Sequence, residues 1–124
     1  MDKNKCCITV SLGELYDKYT ILLIKLERII DETKQYMVKI ELEYLKYYVD
    51  KFNLDSHIIN ELKKINETLW DIENKIRIKE KNNEFDDEFI KLARGVYITN
   101  DIRSKFKNKI NNILNSELTD IKSY

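Results

Sequence analysis

The chain has 124 residues, enough for one domain that buries about two-thirds of the surface exposed in the unfolded chain. It contains no Pro and only two Gly, while 35% of its residues are charged and 43% are hydrophobic, which favours an all-α fold over a turn-rich β fold. Basic and acidic residues balance at 22 each. The chain therefore lacks the broad basic field of nucleic-acid and membrane-surface binders, and we expect neither partner.

The first ten residues end in Ile8, Thr9 and Val10, which are β-branched and precede the first helix signal, and they predict either an edge strand or a short extended arm. They contain no apolar core of the length a signal peptide needs, and no segment approaches the ~20 apolar residues of a membrane span. These features predict a cytoplasmic protein. Cys6 and Cys7 are adjacent and His57 is the single histidine, too few ligands for a Cys/His zinc site, so we predict no metal and no cofactor.

The first helix begins at a capping box formed by Ser11 and Glu14, with Val10 and Leu15 at the positions of a hydrophobic staple. Apolar residues then recur every three or four positions, which is typical of an amphipathic helix in a bundle. They are Leu12, Leu15, Tyr19, Leu22, Leu26 and Ile29.

Polar residues 31–34 interrupt this stripe, and a rotated stripe follows at Met37, Ile40, Tyr44 and Tyr48. Either one helix runs to about Lys51, or Asp31 caps a second helix after a break. The pattern favours the break. The prediction is thus an antiparallel bundle of three long helices, or four if the first breaks near Asp31.

Two further helices follow a turn at residues 53–56, where Asp55 or Ser56 can act as the cap. The apolar stripe of the first is Ile58, Leu62, Ile65, Leu69, Ile72 and Ile76. Asp86 caps the last helix, whose stripe is Phe89, Leu92, Val96, Ile102, Phe106, Ile110 and Ile113. This stripe changes phase at residues 99–101.

Gly95 lies inside the last helix at a cost of ~1 kcal/mol relative to Ala, which predicts close approach by a bulky neighbour such as Trp70. Residues 115–124 show no pattern and predict an irregular tail. The whole chain, residues 1–124, is predicted to be one helical domain.

Familiar active-site signatures are absent from the sequence. With Gly only at positions 13 and 95, there is neither a glycine-rich phosphate loop nor a nucleophile elbow. All-α nucleotide pyrophosphohydrolases hold magnesium with paired helical carboxylates. Glu84 and Asp87 have that spacing but lie at a helix start, so this enzyme class is disfavoured.

Charged and aromatic residues beside the apolar stripes form the candidate ligand-binding set. If the helix faces meet, cations could hold a phosphate or carboxylate, Trp70 or Tyr97 could stack on a ring, and Glu73 or Asp101 could orient an Arg or move a proton. The set is Lys18, Lys25, Arg28, Trp70, Glu73, Arg77, Arg94, Tyr97, Asn100, Asp101 and Arg103.

A simpler interpretation applies to each of these residues taken singly. Glu73 with Arg77, and Glu14 with Lys18, have the i,i+4 spacing of ordinary surface ion pairs. Trp70 is typical of a core residue. The tyrosines at positions 44, 47 and 48 are typical of a boundary or of an oligomer contact.

The segments SLGELYDKYTILLIKLERI, NETLWDIENKIR, FDDEFIKLARGVYITNDIRSKFKNKIN and KSY resemble a family of small helical proteins of uncharacterised function, known mainly from bacteria. The shared motifs are SxGELxDKxTIL, LWxIExxIR, LARxVYxxNDxR and a terminal KSY. The resemblance implies a helical fold, a break after Asp31, and a residue set that adds Asp17 and Glu27 to the candidates. Related domains occur beside glycosyltransferase-type proteins, which implies a link to polysaccharide metabolism.

Two function hypotheses follow. In the first, the chain is a helical binding or assembly module, a homodimer through its tyrosine-bearing helix, with an inter-helix pocket for an anionic small molecule. In the second, it is a small metal-independent enzyme that acts on a phosphorylated sugar or nucleotide sugar by electrostatic stabilisation. The sequence favours the first.

Overall fold

The computed structural model describes residues 4–123 and contains four α-helices. They are α1 (Leu12–Arg28), α2 (Glu32–Phe52), α3 (Ser56–Lys81) and α4 (Asp87–Ile113). Residues 4–123 include no β-strand, and none of their helices has the length and apolar character needed to cross a membrane. The all-α prediction and the break near Asp31 are confirmed.

Every helix begins at a side-chain cap that satisfies one of its free backbone N–H groups. Ser11 Oγ accepts from the Glu14 amide at 3.1 Å. Asp31, Asp55 and Asp86 do the same for α2, α3 and α4, at 2.9, 2.9 and 3.0 Å. The predicted caps are therefore confirmed.

Helix α1 is the centre of the architecture because it packs against all three other helices. Helices α3 and α4 form a hairpin, whereas α2 contacts only α1 among the helices of the described chain. The side-chain pairs show that α1 runs antiparallel to α2 and to α4, and in the same direction as α3. The molecule is thus a bundle of α1, α3 and α4 with α2 folded back along α1.

The α3–α4 hairpin extends beyond the end of α1. Helices α3 and α4 have 26 and 27 residues against 17 in α1, and Arg28, the last residue of α1, is bonded to Asp71. Residues 73–91 form this overhang, which we call the hairpin tip. It leaves Ile78, Phe85 and Ile90 exposed.

The hydrophobic core lies where the N-terminal half of α1 meets the other helices. Tyr16, Leu62 and Ile110 are fully buried there. Tyr16 donates its hydroxyl hydrogen to the Val49 carbonyl oxygen at 2.8 Å, so the polar end of this buried ring is satisfied. Burial raises the pKa of Tyr16 above its usual value.

The predicted apolar stripe of α2 was assigned to the wrong side of the helix. Met37, Ile40, Tyr44 and Tyr48 are exposed. The buried side of α2 is instead formed by Val38, Leu42, Leu45 and Val49. The helix is apolar on two sides, and α1 covers only one of them.

The two glycines allow close approach between helices, but not in the predicted way. A β-carbon at Gly95 would lie 3.3 Å from Ile72 Cδ1, so the bulky neighbour is Ile72 and not Trp70. A β-carbon at Gly13 would overlap the Lys107 carbonyl oxygen. Glycine is therefore required more strictly at position 13 than at position 95, because a backbone carbonyl group moves aside less easily than a side-chain methyl group.

Candidate functional site

A buried ion pair joins α1 to α4. Asp17 is 1% exposed in its side chain and Arg103 25%. Arg103 donates from Nε to Asp17 Oδ1 at 2.9 Å and from Nη2 to Oδ2 at 2.6 Å, the bidentate geometry that Arg and a carboxylate favour. The Asp17 carboxylate raises the pKa of Arg103 above its ordinary value.

Helix α3 adds a third member to this buried polar network. Asn66 Nδ2 donates to Asp17 Oδ1 and to Thr20 Oγ1, both at 3.0 Å. Thr20 in turn donates to the Asp17 carbonyl oxygen at 2.9 Å. Every buried side-chain nitrogen and oxygen in residues 4–123 has a partner, so the network fixes the register of three helices without an unpaired group.

A second polar layer lies one helical turn nearer the start of α1. Lys107 is almost fully buried, and its Nζ lies 2.7 Å from Glu14 Oε2. Asn111 Oδ1 accepts from the Gly13 amide at 2.6 Å. The backbones approach this closely because position 13 has no side chain, so α1 and α4 meet through polar contacts at this end.

The C-terminal segment packs onto this layer although residues 116–123 form no helix. Ser116 Oγ accepts from the Leu12 amide at 2.9 Å. The Asp120 backbone donates to Asn108 Oδ1 and accepts from Asn108 Nδ2, both at 2.8 Å. The Asp120 carboxylate accepts from the Ser104 hydroxyl and lies 4.0 Å from Lys107 Nζ.

These groups line an open cleft of about 280 Å³ between α1, α4 and the tail, which we call the α1–α4 cleft. All of its lining residues are polar or charged, and the cations exceed the carboxylates by three to two. They are Glu14, Asn100, Arg103, Ser104, Lys107, Asp120 and Lys122. Such a surface can bind an anionic or polyhydroxylated group through hydrogen bonds.

A larger open cleft of about 680 Å³ lies near the hairpin tip. It is lined by Ile72, Asp87, Glu88, Lys91, Leu92 and Gly95. Two carboxylates face one lysine there, so this cleft does not suit an anion. Among residues 4–123, no group of three His, Cys, Asp or Glu side chains could hold a metal ion.

The predicted site residues fall into separate groups. Asn100 and Arg103 both line the α1–α4 cleft, and Arg103 Nη1 donates to Asn100 Oδ1 at 3.3 Å. Arg28 and Trp70 form a second group, with the guanidinium carbon 5.9 Å from the ring centroid. Arg28 also pairs with Asp71 at 2.7 Å.

The remaining members lie elsewhere on the surface. Arg77 is 76% exposed and pairs with Glu73 at 3.6 Å, as the i,i+4 spacing predicts. Lys18 pairs with Glu41 at 3.0 Å, whereas Glu14 pairs with Lys107; the predicted Glu14–Lys18 pair is therefore wrong. The other members are half-buried Lys25 and the exposed Arg94, Tyr97 and Asp101.

Within the described residues, no hydrogen bond or ion pair joins Arg28, Arg77 and Arg103 into one cluster. Arg103 lines the α1–α4 cleft, and Arg28 and Arg77 are not among the residues that line it. The role of each predicted residue in binding stays a prediction.

Residue-by-residue reasoning missed Glu14, Ser104, Lys107 and Asp120, and the family motif alone pointed to Asp17. A signal existed in the phase change of α4. Where the apolar stripe drifts, Thr99, Ser104, Lys107 and Asn111 are buried although they are polar, and the last three recur at helical spacing. Extending the buried face of α4 past residue 101 at this spacing would have identified Ser104 and Lys107.

Comparison with known proteins identifies a family. No curated protein and no solved structure is significantly similar to the chain. A family model, described as a family of unknown function (DUF6165), matches residues 6–124. This match includes α1 to α4 and the polar residues of the α1–α4 cleft. The chain therefore belongs to this family of unknown function.

Proposed function

We propose that the chain is a helical binding module whose α1–α4 cleft binds the anionic group of a small molecule, with a phosphorylated sugar as the best-fitting class. One observation carries this proposal. The carboxylate of Asp120, on a segment without helix or strand, already accepts from the Ser104 hydroxyl and lies 4.0 Å from the Lys107 ammonium group of α4. An external anion could take the place of that carboxylate.

The donors around Asp120 suit a phosphate as well as a carboxylate. The Ser104 hydroxyl and the Lys107 ammonium approach the Asp120 carboxylate, and the Asn108 amide donates to the backbone carbonyl of the same residue. Arg103 can add its Nη1 group, because the 3.3 Å bond to Asn100 is long and readily exchanged. Phosphate oxygens accept charge-assisted hydrogen bonds from this combination of groups.

The polar lining favours a sugar phosphate over a nucleotide. Trp70 and Tyr97, the rings predicted to stack on a ligand, do not line the α1–α4 cleft. A nucleobase would therefore lack the aromatic contact that usually contributes ~1–3 kcal/mol. Hydroxyl groups of a sugar, in contrast, match the side chains of Asn100 and Ser104.

The same geometry favours binding over catalysis. The buried carboxylate of Asp17 is bonded through both oxygens to Arg103 and also to Asn66, so it does not reach the cleft. Glu14 lines the cleft, but its carboxylate is paired with Lys107 at 2.7 Å. A general base needs an oxygen within reach of the proton that it removes.

The test is a thermal-shift titration with inorganic phosphate and glucose 1-phosphate, with UDP-glucose for comparison. In Asp120→Asn the competing charge is removed, so the midpoint should rise more at equal ligand concentration than in the wild type. Lys107→Met should abolish the rise. The rise in midpoint should be larger with glucose 1-phosphate than with inorganic phosphate, because the sugar adds hydrogen bonds.

Arg77→Ala is the matched control, since Arg77 is an exposed cation on α3, away from the cleft. It should leave the ligand-induced rise unchanged, and circular dichroism should show the helical fold in every variant. The proposal fails if Asp120→Asn shows no rise with any of the three ligands. It also fails if Arg77→Ala removes the rise as fully as Lys107→Met.

A further inference from the structure

Helix α2 is apolar on two opposite sides. Val38 and Val49 face α1 and are buried. The opposite side, which we call the α2 outer face, has six large side chains that are 38% to 66% exposed. They are Tyr36, Met37, Ile40, Tyr44, Tyr47 and Tyr48. A helix that is apolar on both sides is typically packed on both, and α1 covers only one.

The α2 outer face is large enough for a stable interface. From the usual surface areas of these side chains, their exposed parts sum to roughly 700 Å², compared with about 800 Å² per partner in a standard protein interface. Four of the six are tyrosines, and aromatic residues are enriched at interface centres. Lys5 reaches the ring of Tyr44 at 4.5 Å, and Tyr44 is still more than half exposed.

The spacing of these residues identifies the partner. Tyr36 and Tyr48 each lie six positions from Leu42, Met37 and Tyr47 lie five, and Ile40 and Tyr44 lie two. In a two-fold interface, residue i of one copy contacts residue j of the other, and j contacts i. If two α2 helices cross antiparallel with the two-fold axis at the level of Leu42, whose own side chain lies on the α1 side, every member of the face lies at the level of another member.

Charges beside the face fit the same alignment. Lys39 and Glu43 border one edge of the α2 outer face. In the antiparallel alignment, Lys39 comes within about 3 Å along the axis of the level of Glu43 of the second copy, and two-fold symmetry forms this pair twice. The chain has no net charge at pH 7, so two copies have no overall repulsion to overcome.

We infer that the α2 outer face binds a second copy of this chain, with the two α2 helices antiparallel about Leu42. A different partner would fit the apolar character of the face but would not require its symmetric spacing. The surface is separate from the α1–α4 cleft, whose residues lie on α1, α4 and the tail. The inference is therefore independent of the proposed ligand.

The first experiment is sedimentation velocity of the full chain over a concentration series from low to high micromolar. The wild type should form a dimer, and Tyr47→Lys should weaken dimerisation at least about tenfold, because each substitution enters the interface twice. The matched control is Ile78→Lys, since Ile78 is an equally exposed apolar residue on the hairpin tip. It should leave the dimer unchanged.

A charge reversal tests the alignment itself. Lys39→Glu should weaken the dimer, because it places like charges together, and Lys39→Glu combined with Glu43→Lys should restore it. Circular dichroism confirms that each variant keeps its helices. A wild type that stays monomeric throughout the series would overturn the inference. So would loss of the dimer in Ile78→Lys but not in Tyr47→Lys, or a double variant that fails to restore it.

Discussion

The α1–α4 interface and the α2 outer face both depart from the usual distribution of side chains. The first buries polar residues, and the second exposes large apolar ones. At the α1–α4 interface Asp17, Lys107 and Asn111 are buried, and all of them are paired within one chain. At the α2 outer face, four tyrosines are more than half exposed. The first region is complete in a single copy, whereas the second leaves apolar area uncovered, and the contrast separates residues that hold the fold from residues available to a partner.

The largest effect is expected at the buried ion pair. Asp17→Ala leaves Arg103 without its carboxylate and should lower the free energy of unfolding by about 3 kcal/mol. The loss lies at the lower end of the usual range because Arg103 is one quarter exposed and keeps part of its hydration. Urea denaturation followed by circular dichroism measures this change. The neighbouring Lys18→Ala removes an exposed pair with Glu41 and should cost under about 1 kcal/mol; equal losses would contradict the contrast.

The two glycines offer the next comparison. Gly13→Ala places a methyl group against the Lys107 carbonyl oxygen and should cost about 2 kcal/mol despite the better helix propensity of Ala. Gly95→Ala meets only a side-chain methyl group of Ile72 at 3.3 Å, so it should be neutral or slightly stabilising. Urea midpoints of the two variants decide this, and a Gly95→Ala loss that exceeds the Gly13→Ala loss would refute it.

A smaller effect is expected at the α2 outer face, and it should depend on concentration. Tyr47→Gln should change the free energy of unfolding of the monomer by under about 1 kcal/mol, since Tyr47 is exposed. At high protein concentration the wild type should gain thermal stability from association, whereas Tyr47→Gln should not. Thermal midpoints across a dilution series measure the difference. If the thermal midpoints of both proteins change equally with concentration, association does not occur through this face.

The smallest effect is expected at the exposed cap of α4. The Lys79 ammonium group holds the pKa of Asp86 below its ordinary 3.8. A carboxyl group with a lowered pKa in the folded state stabilises the protein above its ordinary pKa, and this contribution is lost as pH falls through the folded value. Asp86→Asn retains a capping side chain. Its thermal midpoint should fall slightly below that of the wild type at neutral pH and converge with it in acid.

Features determined by neighbouring residues were predictable from the sequence. Each cap needs one side chain and a backbone amide two or three positions on, so Ser11, Asp31, Asp55 and Asp86 identify the helix starts. The orientation of α2 was not predictable in this way. Its two apolar sides are nearly equivalent along the sequence, and packing on α1 selects Val38 and Val49 over the tyrosines.

The candidate site was predictable only in part, for a related reason. Arg103 follows the phase change in α4, and the position itself indicates an unusual environment. Its partner Asp17 lies 86 positions earlier, and nothing local pairs the two. Asp120 belongs to a segment without periodicity, so its place depends on hydrogen bonds to Asn108 that only the folded chain provides.

The antiparallel α2 pair can be tested most directly by cross-linking. Cys6 and Cys7 are exposed, so both are first changed to Ser. In that background, Tyr36→Cys and Tyr48→Cys are treated with a short bismaleimide, singly and as an equal mixture. Antiparallel alignment brings position 36 of one copy beside position 48 of the other, whereas equal positions lie about 18 Å apart along the axis.

The α2 pairing predicts a covalent dimer in the mixture of Tyr36→Cys and Tyr48→Cys, and almost none in either variant alone. Each variant cross-linking with itself, with no gain in the mixture, would indicate a parallel or different interface. The absence of any cross-link at high protein concentration would contradict the claim that a second copy covers the α2 outer face.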